Sequence, residues 1–451
     1  MKAVRFAAIC WAVIALLPAP SAPAQTPREA WEMLNLIRQE KFDIVLPEAM
    51  REHDIDMWIH VVRYGDPDPL QHDLGASGGY FVFTDRGGER IERAVLGGGG
   101  MLLESTGAYD LFGEARQLGQ FVADRDPGRI AVNMSGWIAA ADGLSHTGYL
   151  QLVEMLGELY ASRLVSADRL ITDFRARRVS SEIAFYAKLG DLTRRISERA
   201  LSSEVITPGV TTLEDVAWWM KSEHTLYGDN SLYRMPSVAV IEGPEGVLAE
   251  SDGRVIQRGD LLKTDFGVSM LNYGTDIQRM GYVLRAGETA VPQGLQNAFD
   301  QAVKARAVIR SNIIAGRTAG ETLEALRIGL EEAGFGFILE DPTMDGGYSG
   351  KVRGEHLENP DKTEIAVDLH ALGNTGSSEV AVGPSIAHFR PDRAHLTIHP
   401  NNFFSFEFMA YTAVPEWGGK KVRIGYEDNA IVTENGVEWL YSPADRILII
   451  R

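Results

Sequence analysis

Four carboxylates stand out by their surroundings. Asp265 ends the apolar run Leu261-Leu262-Lys263-Thr264 and is followed by Phe266-Gly267; Asp276 comes eleven residues later, in Thr275-Asp276-Ile277-Gln278-Arg279. A buried, unpaired carboxylate at the end of such a strand is costly. If the chain reverses near Met270-Leu271, Asp276 lies directly across an antiparallel pair from Asp265, on the same face. Glu407 sits in Phe403-Phe404-Ser405-Phe406-Glu407-Phe408 and Glu427 in Val422-Arg423-Ile424-Gly425-Tyr426-Glu427, with the turn signal Pro415-Glu416-Trp417-Gly418-Gly419 midway between them. These two should also face each other. Four like charges in one cavity cannot all stay ionised unaided. Either some are protonated or cations hold them. Two divalent ions would neutralise the four and carry a bridging hydroxide as nucleophile, the two-metal hydrolytic arrangement. Oxygen-rich ligation with one imidazole suits manganese, cobalt, iron or zinc better than copper. Surface acids on solvated hairpins are the plainer reading, but Phe on both sides of Glu407 and Leu, Thr and Phe around Asp265 argue against it.

The elements that must position these groups show an internal echo. Long amphipathic helices are expected over 180–201 and 211–226, and strand-rich segments follow. Gly209-Val210-Thr211-Thr212-Leu213-Glu214 opens one helix and Gly316-Arg317-Thr318-Ala319-Gly320-Glu321 opens another. Each has Glu three residues after Thr, the spacing of a capping box. Each leads on to a strand pair bearing two carboxylates, so a helix-plus-hairpin unit is expected twice. Ahead of it, residues 27 to about 165 read as one α/β unit. That unit should contain a short helix over 47–53 with Pro47 in its first turn, a strand over 54–62, and a hairpin of 80–84 with 90–96 around Asp85-Arg86-Gly87-Gly88. Gly97 to Gly100 lacks the Gly-Lys-Ser/Thr ending of a phosphate loop and is read as a turn.

Composition narrows the class. The 451 residues carry a formal charge of −18, which disfavours nucleic acid or anionic lipid as the main partner. One cysteine excludes a disulfide framework and cysteine-rich metal sites. Lys2 and Arg5, an apolar run from Phe6 to Leu17, and Ala22-Pro23-Ala24 have the form of a secretory signal peptide over residues 1–24. That run is too short for a comfortable membrane span, and no later segment is long and apolar enough, so no stable span is expected. A secreted or periplasmic protein is expected. Residues 25–167 would form the first domain and 168–451 the catalytic one.

From about Asp168 onward the chain resembles the pita-bread metallopeptidases, the family of aminopeptidase P, prolidase, methionine aminopeptidase and creatinase. Residues 35–165 more weakly resemble the creatinase/prolidase N-terminal domain. The resemblance rests on Asp265-Phe266-Gly267, the interval to Asp276, and Glu427-Asp428 ahead of Val432-Thr433-Glu434-Asn435-Gly436. It also rests on the order Asp, Asp, His, Glu, Glu. It implies an α+β pita-bread catalytic domain with pseudo-two-fold helix-hairpin units, preceded by a creatinase-like α/β domain that narrows access to the site. It implies His370, in Asp368-Leu369-His370-Ala371-Leu372-Gly373, as the fifth metal ligand. Asp265 would chelate one metal and Asp276 and Glu427 bridge both. His370 and Glu407 would complete the second, with Glu407 accepting the proton of the attacking water.

The chain departs from that family pattern at two histidines. The imidazole expected seven positions after His370 is replaced by Ser377, and none precedes Asp265 on its strand side between Pro236 and Asp265. Serine can donate a hydrogen bond but does not titrate near neutrality. Ser377 and His388, the latter from an inserted loop, are the candidates to fill the gap, while His395 and His399 read as surface or structural. The expectation is a metal-dependent exopeptidase, with two divalent ions (Mn foremost; Co, Zn or Fe allowed). Its substrates would be Xaa-Pro or related short peptides or small amides, and a homodimer is allowed. The alternatives are a member with the metal site but non-peptidase chemistry, or a non-catalytic metal-binding homologue.

Overall fold

The computed structural model describes residues 26–227, 235–241, 247–250, 253–338, 361–374 and 382–451. The signal peptide expected over 1–24 lies outside the described residues. Among the described residues no helix is long and apolar enough to cross a membrane.

The first unit is a six-stranded mixed sheet. Its strands are β1 (Met57–Val62), β2 (Gly79–Thr84), β3 (Glu92–Leu96), β4 (Leu111–Gly113), β5 (Ile130–Val132) and β6 (Leu164–Ser166), ordered β4-β3-β2-β1-β5-β6. β1 begins three residues later than expected because Asp54, at φ 55°, turns the chain out of the preceding helix Leu46–Glu52. The β2–β3 hairpin forms with Thr84 opposite Glu92, so its connection runs from Asp85 through Ile91 rather than closing as a four-residue turn.

The rest of the chain contains the same unit twice. Helices Ser180–Ala200 and Leu213–Thr225 precede β7 (Ser237–Ile241), β8 (Val247–Glu250), β9 (Leu261–Phe266), β10 (Ser269–Met270), β11 (Tyr273–Gly274) and β12 (Ile277–Val283). Helices Gln293–Asn312 and Ala319–Glu332 precede β13 (Gly336–Phe337), β14 (Glu364–Ala371), β15 (Gly373–Asn374), β16 (Ile386–Ala387), β17 (Phe403–Ala413), β18 (Lys421–Tyr426), β19 (Asn429–Thr433) and β20 (Gly436–Trp439). In the first copy β9 lies between β7 and β12; in the second β17 lies between β14 and β18, all antiparallel. β21 (Leu448–Ile450) closes the first sheet beside β12. The two sheets meet at an isolated bridge between Gln278 and Glu427, where Gln278 N–H donates to the Glu427 carbonyl at 3.1 Å.

Both second helices start on capping boxes, but the first is displaced by one residue. Thr212, not Thr211, caps Leu213–Thr225 and pairs with Asp215. Thr211 is engaged elsewhere, its hydroxyl accepting from Thr207 N–H at 2.9 Å. Thr318 and Glu321 cap the other helix as expected.

Strand periodicity explains how acids come to lie in a buried sheet. Along β17, Phe404, Phe406 and Phe408 point into the cluster shared with Ala298, Ala302 and Ile309 of helix Gln293–Asn312, while Ser405 and Glu407 take the opposite face. Each buried Phe contributes roughly 1.5–3 kcal/mol, enough to hold the strand although its other face carries charge. β14 repeats the pattern, with Ile365, Val367 and Leu369 inward to that core and Asp368 and His370 opposite. A second core joins the first sheet's helices to the N-terminal unit, from Ile37 and Phe42 through Tyr186 and Val216 to Leu262 and Phe266.

Candidate metal centre

The two hairpins deliver their carboxylates differently. Extending the β17–β18 register by one residue, beyond Phe408 opposite Tyr426, sets Glu407 across from Glu427, as the position of the turn implied. In the other hairpin the residue opposite Asp265 is Gln278, not Asp276. The chain reverses at Leu271 and Asn272, whose φ values of 54° and 73° form the two left-handed positions of a tight turn. This is one residue later than expected, which moves every cross-strand partner by two. Asp276 therefore sits on the same face as Gln278 and diagonally from Asp265.

Five side chains converge from the two sheets. The ligand atoms of Asp276, His370 and Glu427 lie within 4.8 Å of one another, and so do those of Asp265, Glu407 and Glu427. Glu427 is common to both triads. His370 Nε2 lies 3.6 Å from Glu427 Oε1 and 3.7 Å from Glu407 Oε2. Its Nδ1 lies 3.1 Å from the carbonyl oxygen of Ala371, which can only accept. The proton is thus placed on Nδ1 and the Nε2 lone pair turns toward the carboxylates, the tautomer a metal-binding imidazole needs.

The electrostatics are those of acids crowded together and largely buried. Burial, reinforced by Glu427, Asp265 and Glu407, pushes the Asp276 carboxyl well above the ordinary carboxylate range. Burial, with Glu427, Asp368 and Asp265, does the same to Glu407. Glu427 is raised by burial and by Asp265, against the opposing pull of His370 and the Ser405 hydroxyl. Burial acts to lower the His370 imidazole, but its interaction with Glu427 and the charge of Asp368 outweigh it and hold it high. Once deprotonated, these crowded acids and the imidazole beside them would fit a divalent cation by donor type and by charge.

Other groups complete the neighbourhood. Lys263 Nζ donates to Asp265 Oδ2 at 3.1 Å, and Gln278 Nε2 donates to the same oxygen at 3.1 Å and to Glu407 Oε1 at 2.7 Å. Arg390 lies 3.2 Å from Asp368, which itself stands opposite Glu407. The motif reading passed over all three. Lys263 and Gln278 were within reach of strand alternation, each being two residues from an acid; Arg390 comes from a loop and had no such signal.

Of the candidates to replace the missing imidazole, His388 is exposed on the turn after β16 and joins neither triad. Ser377 lies outside the described residues. His395 packs against Trp137, and His399 is partly buried beside Asp173 and Arg177.

Residues 185–434, more than half of the chain, match metallopeptidase family M24. Comparison with curated protein sequences gives no match. Among solved structures, an X-Pro aminopeptidase from Thermotoga maritima superposes with a TM-score of 0.61 at 16% identity, covering 89% of this chain and 99% of that one. A dipeptidase from Mycobacterium ulcerans gives 0.56 at 16%, covering 92% and 98%, and an Xaa-Pro dipeptidase from Bacillus anthracis 0.53 at 18%, covering 92% and 99%. At such identities the likeness is one of fold, and the fold is the pita-bread arrangement of duplicated helix-hairpin units. By the match over residues 185–434, this chain belongs to metallopeptidase family M24.

Proposed function

We propose that this protein is a metal-dependent exopeptidase acting on Xaa-Pro or related short peptides, exported by the leader over residues 1–24. The observation that carries the reading is the convergence of two carboxylate-rich triads on Glu427, one of them holding an imidazole whose Nε2 faces the carboxylates. Family membership and the Xaa-Pro peptidases among the structural neighbours supply the substrate class.

Asp276, His370 and Glu427, with Asp265 and Glu407 beside them, are the residues that would hold the metal, manganese foremost by donor set. A divalent cation bound there would lower the pKa of water and polarise the scissile carbonyl. Glu407 is the proton carrier. It reaches the cluster from β17, where a carboxylate can take a proton from water and pass it to the departing amine.

The test is release of the N-terminal residue from a panel of Xaa-Pro dipeptides and tripeptides by manganese-loaded protein, compared with chelator-treated protein. Turnover that needs metal and is lost in Glu407→Gln supports the reading. Full metal occupancy without cleavage of any panel member sinks the peptidase assignment.

A further inference from the structure

The two triads differ in what already faces them. On the Asp276–His370–Glu427 side the donor seen is the neutral hydroxyl of Ser405, bonded to Glu427 Oε1. On the Asp265–Glu407 side stand two donors of this chain. The Lys263 ammonium and the Gln278 amide both lie 3.1 Å from Asp265 Oδ2, and that amide reaches 2.7 Å from Glu407 Oε1. Their positions follow from the sheet: Lys263 is two residues before Asp265 on β9, and Gln278 is directly opposite Asp265 on β12. Both side chains are buried.

The neighbouring strand is shaped around them. A Cβ added to Gly425 of β18 would fall 2.4 Å from Gln278 Oε1 and 3.5 Å from Lys263 Cε. The missing side chain there leaves the space in which the amide and the lysine stem lie. Among the described residues Gln278 Oε1 has no hydrogen-bond partner, so the amide is oriented by what its nitrogen bonds, the two carboxylates.

Given the metal-binding reading above, on which this rests, we infer that the chain supplies its own cation to the second subsite. The centre then takes one divalent ion, at Asp276, His370 and Glu427, in place of the two expected from counting carboxylates. An ion at coordination distance from Asp265 and Glu407, about 2.0–2.2 Å, would lie against an ammonium and an amide N–H group, both of its own sign. Elsewhere in the molecule a protein cation likewise fills a close group of ligand-type side chains. Glu52, Asp173 and His399 also group closely, and there the Arg177 guanidinium bonds all three, at 2.9 Å from both Asp173 and His399. Glu407, left without a metal on its side, keeps Oε2 toward His370 and remains available as the proton carrier.

The test is metal stoichiometry on the whole chain. Protein dialysed to equilibrium against excess Mn²⁺ is assayed by elemental analysis, and its manganese EPR spectrum is recorded. The expected result is one ion per chain with an uncoupled spectrum, rising to two with exchange-coupled lines in Lys263→Met/Gln278→Ala. Two ions in the unsubstituted protein would overturn the inference while leaving metal binding intact. No bound ion would overturn the metal reading itself and this inference with it. One ion in both proteins, with circular dichroism showing the variant folded, would overturn the role given to Lys263 and Gln278. Should the variant fail to fold, the stoichiometry and spectrum of the unsubstituted protein decide.

Discussion

Arg279 meets Asp428 at 2.7 Å across the seam between the two sheets, both side chains buried. The same guanidinium donates to the carbonyls of Gln278 at 2.7 Å and Glu427 at 3.3 Å, while the other Asp428 oxygen accepts from Ala444 N–H at 2.8 Å. Backbone pairing between the two halves is short: β11 with β15, through Tyr273 opposite Asn374 and Gly274 opposite Gly373, and the isolated bridge of Gln278 with Glu427. The ion pair therefore clamps the junction where the two halves present their acids. Arg279→Met would strand Asp428 as a buried, unpaired charge, at a cost of about 3–5 kcal/mol. Chemical denaturation should show that loss, and Arg279→Met/Asp428→Leu should recover part of it. A single variant as stable as the parent would mean that the clamp is not needed.

Glu427→Gln should separate stability from metal binding, because Glu427 belongs to both triads. In chelator the variant should melt higher than the parent at neutral pH, since one of several mutually repelling acids has been neutralised. In Mn²⁺ the order should reverse, because ligand binding stabilises only the protein that can bind. Thermal melts with and without metal give both signs, and a variant that still gains stability from Mn²⁺ would remove Glu427 from the ligand set.

Much of this was legible in the sequence, and the misses have physical causes. The duplicated units and the Glu407–Glu427 pairing followed from acids set in apolar strands about a strong turn. The Asp265 hairpin was misregistered because its reversal falls on Leu271-Asn272, which carries no Gly or Pro and holds two left-handed residues regardless. That single-residue error hid Gln278, which takes the place assigned to Asp276. Lys263 was read as part of an apolar run, where a lysine stem does pack well; only the fold shows that its ammonium turns to Asp265. Arg390 reaches Asp368 from a loop, and no local pattern in the sequence encodes that meeting.

The displaced cap gives a direct check on the register of the first unit. Thr212→Ala should cost about 1 kcal/mol by removing the side-chain acceptor for Asp215 N–H. Thr318→Ala should cost a similar amount in the second unit, where Thr318 serves Glu321 N–H. Denaturation midpoints of the two variants should move together. A Thr212 variant indistinguishable from the parent would return the cap to Thr211.

The raised carboxyl groups fix the sign of the pH dependence. Asp276, Glu407 and Glu427 hold protons in the folded, metal-free protein at pH values where the unfolded chain has released them. Folding then binds protons, so the stability these groups contribute is fully present below the ordinary carboxylate range and is lost as pH rises through their folded pKa values. Chelated protein should lose stability on going from about pH 4.5 toward neutrality through these three groups. Glu407→Gln should flatten that decline by removing one of them. Metal needs the ionised forms, so its binding must expel those protons and strengthen as pH rises. Calorimetric titration of Mn²⁺ at pH 6 and pH 7.5 in buffers of different ionisation enthalpy should show proton release at both, with tighter binding at the higher pH. Binding that is insensitive to pH, with no proton released, would mean that the acids are already ionised and that the cluster is not held neutral by protons before the cation arrives.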